Sequence, residues 1–291
     1  MRVVVLGAGL MGTQIGIEYL SGRHDVTFVA RNPDALRRRV DDGLALAERL
    51  GLDAGRAERS FASSWDATGD FDLVVESLPE NFELKVSLLG PLVSVLPDAV
   101  VATNTSSLSV TVLGDAVGAP ERTIGVHYWN PPLLMPPVEV IPGERTDPGV
   151  TARLTETLAA LGKMPIVVER DVPGFIWNRL QLAVMREALW LADNGVASPE
   201  VVDAVVREGL ARRWRQVGPF AAAALGGAAT WLKVGENLLP ELSREYELTT
   251  LPRWLERRPE VLQEIRDRRD ASLIEELRRK AVERKGEDDA G

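Results

Sequence analysis

The fold is decided by the stretch Arg2–Gly12, RVVVLGAGLMG. Residues 2–6 are an unbroken apolar, largely β-branched run, the pattern of a strand buried on both faces. Glycines follow at 7, 9 and 12, and then QIGIEYLSG, which is apolar at helical spacing and stopped by Gly22. The order is strand, tight turn, helix. Gly7 permits the turn, Gly9 leaves the backbone open to a pyrophosphate, and Gly12 lets the helix lie close on the strand. Leu10 and Met11 open the helix, whose free N–H groups face the anion. Taken alone, a glycine-rich turn without a ligand fits the same residues. The second strand at DVTFV, residues 25–29, makes a dinucleotide loop the stronger reading.

Outward from there the alternation continues. The pattern predicts helices over 33–50 and 82–96, and strands at 71–76 (FDLVVE), 99–103 (AVVAT), 123–127, 137–141 and 165–169. This is an α/β chain, a Rossmann-type doubly wound and mostly parallel sheet. After about residue 170 strand signals cease. Residues 173–194, PGFIWNRLQLAVMREALWLADN, read as a helix apolar over most of its circumference, capped by Pro173 and buried against other helices. The expected organisation is a dinucleotide-binding domain over 1–170 and an all-helical substrate and dimerisation domain over 171–291. That suits 291 residues at roughly 100–200 per domain.

Composition narrows the partners. With 34 Lys and Arg against 43 Asp and Glu, the formal charge of -9 offers no long-range attraction to nucleic acid or to anionic membranes. Cysteine is absent, which removes disulfides, thiolate metal sites and cysteine nucleophiles. The first strand begins at once, without room for a leader, so a cytoplasmic protein is expected.

Three polar clusters fall where open α/β sheets collect their chemistry, beyond the carboxyl ends of strands. They are Asn104–Ser107, His127–Asn130 and Glu139, a carboxylate inside the apolar PPVEVI. A buried carboxylate needs a partner, and His127, one of two histidines, can be it. Such a pair fixes the imidazole tautomer and leaves the other nitrogen to exchange a proton. The blander alternatives are a structural imidazole at His127, a helix cap at Asn104–Ser107, a satisfied core amide at Asn178, and an arginine partner for Glu139.

In order along the chain, VVVLGAGLMG, VVESLPENFELK, ATNTSSLS, GVHYWNPP, PVEVI and DVPGFIWNRL resemble the 3-hydroxyacyl-CoA dehydrogenase family over roughly residues 1–225. Relatives of that family include L-gulonate 3-dehydrogenase, also called lambda-crystallin. The resemblance implies a catalytic set of Ser106, His127, Glu139 and Asn178, with cofactor contacts at Glu80, Lys85 and Asn104. It implies hydride transfer at C3 of a 3-hydroxyacyl thioester or 3-hydroxy acid, with His127 moving the proton, Glu139 supporting it, and Ser106 and Asn178 orienting the reacting oxygen. Family members pair through their helical domains, so a homodimer is expected there, where AAAALGGAATWL (221–232) is small and apolar. Downstream, GLARRWRQVGPF (209–220) is closer to the gulonate and carnitine dehydrogenase branch. Arg213 matches an arginine there, and its guanidinium would suit a free acid or another anionic head, although charge runs usually face water. A ketopantoate or β-hydroxyacid reductase shares the nucleotide fold but relies on a lysine, and a non-catalytic crystallin-like protein would have no need of the whole set.

The cofactor reading departs from the family. An acid at the end of the second strand usually accepts bonds from the ribose 2′-hydroxyl of NAD. Here Ala30 holds that place, followed by Arg31 and Asn32. The missing acid and the adjacent guanidinium favour NADP, while an Arg31 that only stacks on adenine would admit NAD as well. The densely charged residues 253–289 read as a solvated helix with Glu275/Arg279 and Glu276/Lys280 pairs, or as an arm toward a partner subunit.

Overall fold

The structure, a computed structural model, describes residues 1–55, 57–64, 69–255 and 259–288. It forms two compact units: Met1–Ile176 together with the segment from Gln263 onward, and Trp177–Leu262.

The first unit is built on eight strands, β1 Arg2–Leu6, β2 Asp25–Val29, β3 Arg59–Ala62, β4 Leu73–Glu76, β5 Val100–Thr103, β6 Thr123–Tyr128, β7 Pro137–Pro142 and β8 Met164–Val167, in the order β3-β2-β1-β4-β5-β6-β7-β8. All neighbours are parallel except β6 and β7, which run antiparallel with His127 opposite Glu139. Helices α1 Leu10–Ser21, α2 Pro33–Arg49, α3 Phe82–Val95, α4 Val110–Val117 and α5 Pro148–Ala160 connect the strands. The period of two in β1 divides its side chains between two cores. Val3 and Val5 pack with Ile15, Leu20, Leu36 and Leu158 from α1, α2 and α5. Val4 and Leu6 pack with Leu89, Leu92 and Leu113 from α3 and α4 on the other face.

Three elements of this unit, β3, α4 and α5, lie outside the sequence expectations. The helices start at local caps: Ser109 accepts from the Val112 N–H, and Asp147 from the Gly149 N–H. Because α4 is capped by Ser109, the cap reading of Asn104–Ser107 does not hold.

The second unit contains α6 Trp177–Asp193, α7 Pro199–Val205, a π-helical turn over Val206–Ala211, α8 Arg212–Trp214, α9 Pro219–Gly226, α10 Ala228–Leu238 and α11 Leu251–Leu255. Two expectations are corrected here. The helix foreseen from Pro173 begins only at Trp177, since Gly174 and Phe175 take the left-handed conformation at φ 77° and 49°. Nor is α6 enclosed: only Leu189 and Ala192 are buried, while Leu180 and Leu182 are exposed.

The last helix, α12 Pro259–Asp288, joins the first unit from Gln263 onward. It is not a purely solvated arm. Ile274 is buried, and the Arg278 guanidinium donates to the Arg49 carbonyl at the end of α2 at 2.8 Å. Of the expected ion pairs, Glu276–Lys280 stands at 2.9 Å, and Arg279 is 3.7 Å from Glu283. No described helix is long and apolar enough to cross a membrane.

Candidate active site

The turn after β1 is set by two close approaches. A Cβ on Gly7, at φ 84°, would stand 2.5 Å from the Ser77 carbonyl oxygen, and one on Gly12 would stand 2.5 Å from that of Gly7. At Gly9 a Cβ would meet no atom within 4 Å, so this backbone faces open space. Helix α1 begins there with no side-chain cap and no acid in its first turn. Its N–H groups are free to meet an anion. The space is a cleft of about 990 Å³, walled by Gly7–Met11, Ala30–Asn32, Ser77–Glu80, Asn104 and Ser106. These residues fit a dinucleotide: glycine backbone for the pyrophosphate, the end of β2 for a ribose, and Asn104 and Ser106 at the far end.

Several expected cofactor residues have other work. Asn32 Oδ1 caps α2, accepting from the Ala35 N–H at 3.0 Å. The Lys85 side chain, expected at the nicotinamide ribose, is 1% exposed, with its ammonium 2.6 Å from Glu76 Oε1. Lys85 thereby serves as a supporting post, its ammonium also 3.5 Å from Glu80 Oε2 at the cleft wall. Glu76, missed in the sequence, is wholly buried and also accepts from the Leu78 N–H and the Thr103 hydroxyl, each at 2.6 Å. The signal was present: like Glu139, it is a carboxylate in an apolar strand. Glu80 lines the cleft, yet its Oε1 gathers the Thr105 hydroxyl, the Ser106 N–H and both the N–H and hydroxyl of Ser107. Burial alone would raise its pKa, but these donors and the Lys85 charge outweigh burial and hold the carboxyl below the usual range. Glu80 thereby shapes the loop that carries Ser106.

His127 and Glu139 meet. His127 Nδ1 lies 2.7 Å from Glu139 Oε2, with the carboxylate fully buried and the ring nearly so. Strand pairing dictates the contact, because the two residues are opposite each other in the antiparallel ladder. The Ile176 N–H donates to Oε1 at 2.8 Å, and the Trp129 indole N–H approaches Oε2 at 3.4 Å. Phe175, in its strained left-handed conformation, is buried with Val110, Ile141 and Val168 and aims the next N–H at the carboxylate. With Nδ1 committed, Nε2 is the nitrogen left for proton exchange. Asn104 connects the pair to the cleft wall, its Oδ1 accepting from the Tyr128 N–H at 2.8 Å. Ser106 follows β5, the neighbour of β6.

Beneath the loop after His127 lies a buried ion pair that sequence reading missed. Lys163 Nζ is 2.5 Å from Glu18 Oε1 and donates to the Pro132 carbonyl at 2.7 Å. Burial pushes the Glu18 carboxyl up to about 7 against the pull of Lys163. Asn178 and Arg213 fall in the second unit, in the first turn of α6 and within α8. Among the described residues no cluster of three or more His, Cys, Asp or Glu has the arrangement of a metal site.

Comparison with known proteins gives a consistent result. The family model "3-hydroxyacyl-CoA dehydrogenase, NAD binding domain" matches residues 2–172, and "3-hydroxyacyl-CoA dehydrogenase, C-terminal domain" matches residues 174–264. A 5-formyl-3-hydroxy-2-methylpyridine 4-carboxylate 5-dehydrogenase of Mesorhizobium japonicum is 32% identical over 259 residues, covering 86% of this chain and 84% of the relative. An L-carnitine dehydrogenase of Streptomyces griseus is 37% identical over 233 residues, covering 78% and 70%. Among solved structures, that of a 5-formyl-3-hydroxy-2-methylpyridine 4-carboxylic acid 5-dehydrogenase, described as an NAD+ dependent dismutase, superposes with a TM-score of 0.86 at 28% identity, covering 95% of this chain and 97% of that one.

Proposed function

The chain belongs to the 3-hydroxyacyl-CoA dehydrogenase family, and on that premise we propose that it is a nicotinamide-dependent oxidoreductase interconverting a secondary alcohol and a ketone at C3 of a 3-hydroxyacyl thioester or 3-hydroxy acid. The observation that carries this is the buried His127–Glu139 contact of 2.7 Å beside the dinucleotide cleft. A nicotinamide dinucleotide held along Gly7–Met11 and Ser77–Glu80 would supply the hydride chemistry. In oxidation, His127 Nε2 accepts the hydroxyl proton, and Glu139, supported by the Ile176 N–H, stabilises the imidazolium. In reduction the same imidazolium protonates the carbonyl oxygen. Ser106 and Asn178 hydrogen-bond the reacting oxygen and orient it.

Within this reading the cofactor is a nicotinamide dinucleotide with its phosphorylated form preferred, because Ala30 stands where an acid would repel a 2′-phosphate. A small free hydroxy acid is the favoured substrate, with Arg213 as its carboxylate anchor, since the two sequence relatives described above are named for small free acids. The protein is a homodimer through its helical unit. In support, Phe220 is 90%, Leu225 79% and Leu232 68% exposed in the single chain. A cytoplasmic location goes with use of the intracellular nicotinamide pool, and neither nucleic acid nor membrane is a partner. A lysine-based reductase draws no support from Lys85 and Lys163, both held by buried carboxylates.

The test is a screen of NAD and NADP, oxidised and reduced, against 3-hydroxybutyrate, L-gulonate, L-carnitine and 3-hydroxyacyl-CoA, with the matching ketones, read by nicotinamide absorbance. Turnover of a 3-hydroxy substrate is expected. Tight dinucleotide binding without turnover of any of them would favour the non-catalytic alternative.

A further inference from the structure

We propose that Arg31, Arg39, Ser63 and Ser64 form a seat for the 2′-phosphate of NADP, an inference that rests on the dinucleotide reading of the cleft. All four line it at the adenosine end. Three elements bring them together: the turn after β2 carries Arg31, α2 carries Arg39, and the two serines follow β3. Strand pairing fixes the geometry, since Val29 is opposite Ala62 and the Ala30 N–H donates to the Ala62 carbonyl at 3.1 Å. Ser63 therefore begins beside Ala30.

The charges at this end are unspent. Arg31 and Arg39 are exposed, and neither takes part in an ion pair among the described residues. Arg39 leans over the glycine loop, with Nη1 3.5 Å from the Ala8 carbonyl oxygen. Arg37, by contrast, lies over the Phe61 ring at 4.5 Å and outside the cleft wall. The Asn32 carboxamide oxygen, also at this end, is occupied as a helix cap. The sole carboxylate lining the cleft among the described residues is Glu80, which is bonded to the segment after β5. That segment is three strands from β2, or about 14 Å at the usual strand spacing. Beyond a Debye length of about 8 Å, its repulsion is largely screened. Two unpaired guanidinium groups with two hydroxyls beside them suit a dianionic phosphate. In a chain of formal charge -9 this is a local feature, not a general attraction for anions.

Calorimetry with 2′,5′-ADP and 5′-AMP isolates the seat, because the two ligands differ only by the 2′-phosphate and no turnover is required. The wild type is expected to bind 2′,5′-ADP about a hundredfold tighter, roughly tenfold for each arginine contact. Arg31→Ala and Arg39→Ala should each reduce that ratio about tenfold, while Arg38→Ala, outside the cleft wall, leaves it unchanged. Equal affinity for the two ligands, or a ratio indifferent to both substitutions, overturns the seat and leaves the oxidoreductase reading intact. Failure of both ligands to bind overturns the seat and the dinucleotide reading together.

Discussion

Replacing Glu139 by glutamine keeps the volume of a fully buried side chain and removes its charge. The carboxylate faces three N–H donors, from His127, Ile176 and Trp129. A carboxamide offers one acceptor oxygen among them and turns its own NH₂ toward another donor. The larger effect falls on the imidazolium that forms during oxidation. Opposite unit charges about 4 Å apart attract by about 4 kcal/mol at an effective dielectric of about 20. Losing two-thirds of that, about 2.7 kcal/mol, is a hundredfold in rate. We therefore expect kcat for alcohol oxidation to fall about a hundredfold or more, with the dinucleotide Kd unchanged, because Glu139 lies outside the cleft wall. Steady-state kinetics with calorimetric cofactor binding reads both. A kcat within threefold of wild type would refute the reasoning.

Other substitutions test the support around the site. Glu18 has its folded pKa raised from 4.5 to about 7, so its contribution to stability is complete below pH 4.5 and is lost as pH rises through 7. Glu18→Gln should remove that slope, gaining up to about 3 kcal/mol on wild type between pH 5 and pH 8 in urea unfolding; parallel curves would discount the shift. Lys85→Met leaves Glu76 buried without its cation and should cost about 3–5 kcal/mol by the same method. A wild-type midpoint would mean that the pair is not the supporting post described. Gly12→Ala must push α1 from the glycine turn, and a dinucleotide Kd raised at least tenfold is expected; an unchanged Kd would separate this turn from cofactor binding.

The legible parts of this chain were those where a local pattern and a long-range contact coincide. Arg2–Gly12 could be read because a strand buried on both faces and a glycine turn each leave a short-range mark, and His127–Glu139 because antiparallel pairing makes two odd polar residues into neighbours. The part Lys85 plays as a supporting post was not legible, because only the fold shows that Glu76, at a strand end nine positions earlier, takes its charge. The late start of α6 escaped notice since nothing in PGFIWN announces that Phe175 turns left-handed to bury its ring. Helix α12 looks solvated by composition, and its docking rests on few residues, chiefly Ile274 and Arg278. β3 is RSFA at the sheet edge, half exposed and without the apolar run that marks the equally short β4 and β5.

The central claim is that His127 carries the proton while the glycine-loop cleft carries the cofactor, and the most direct measurement is turnover of His127→Ala beside its dinucleotide Kd. The account predicts that turnover with the active 3-hydroxy substrate falls by at least a hundredfold, the low end of what a positioned general base supplies, with a Kd within twofold of wild type. Near-normal turnover in this variant would contradict it.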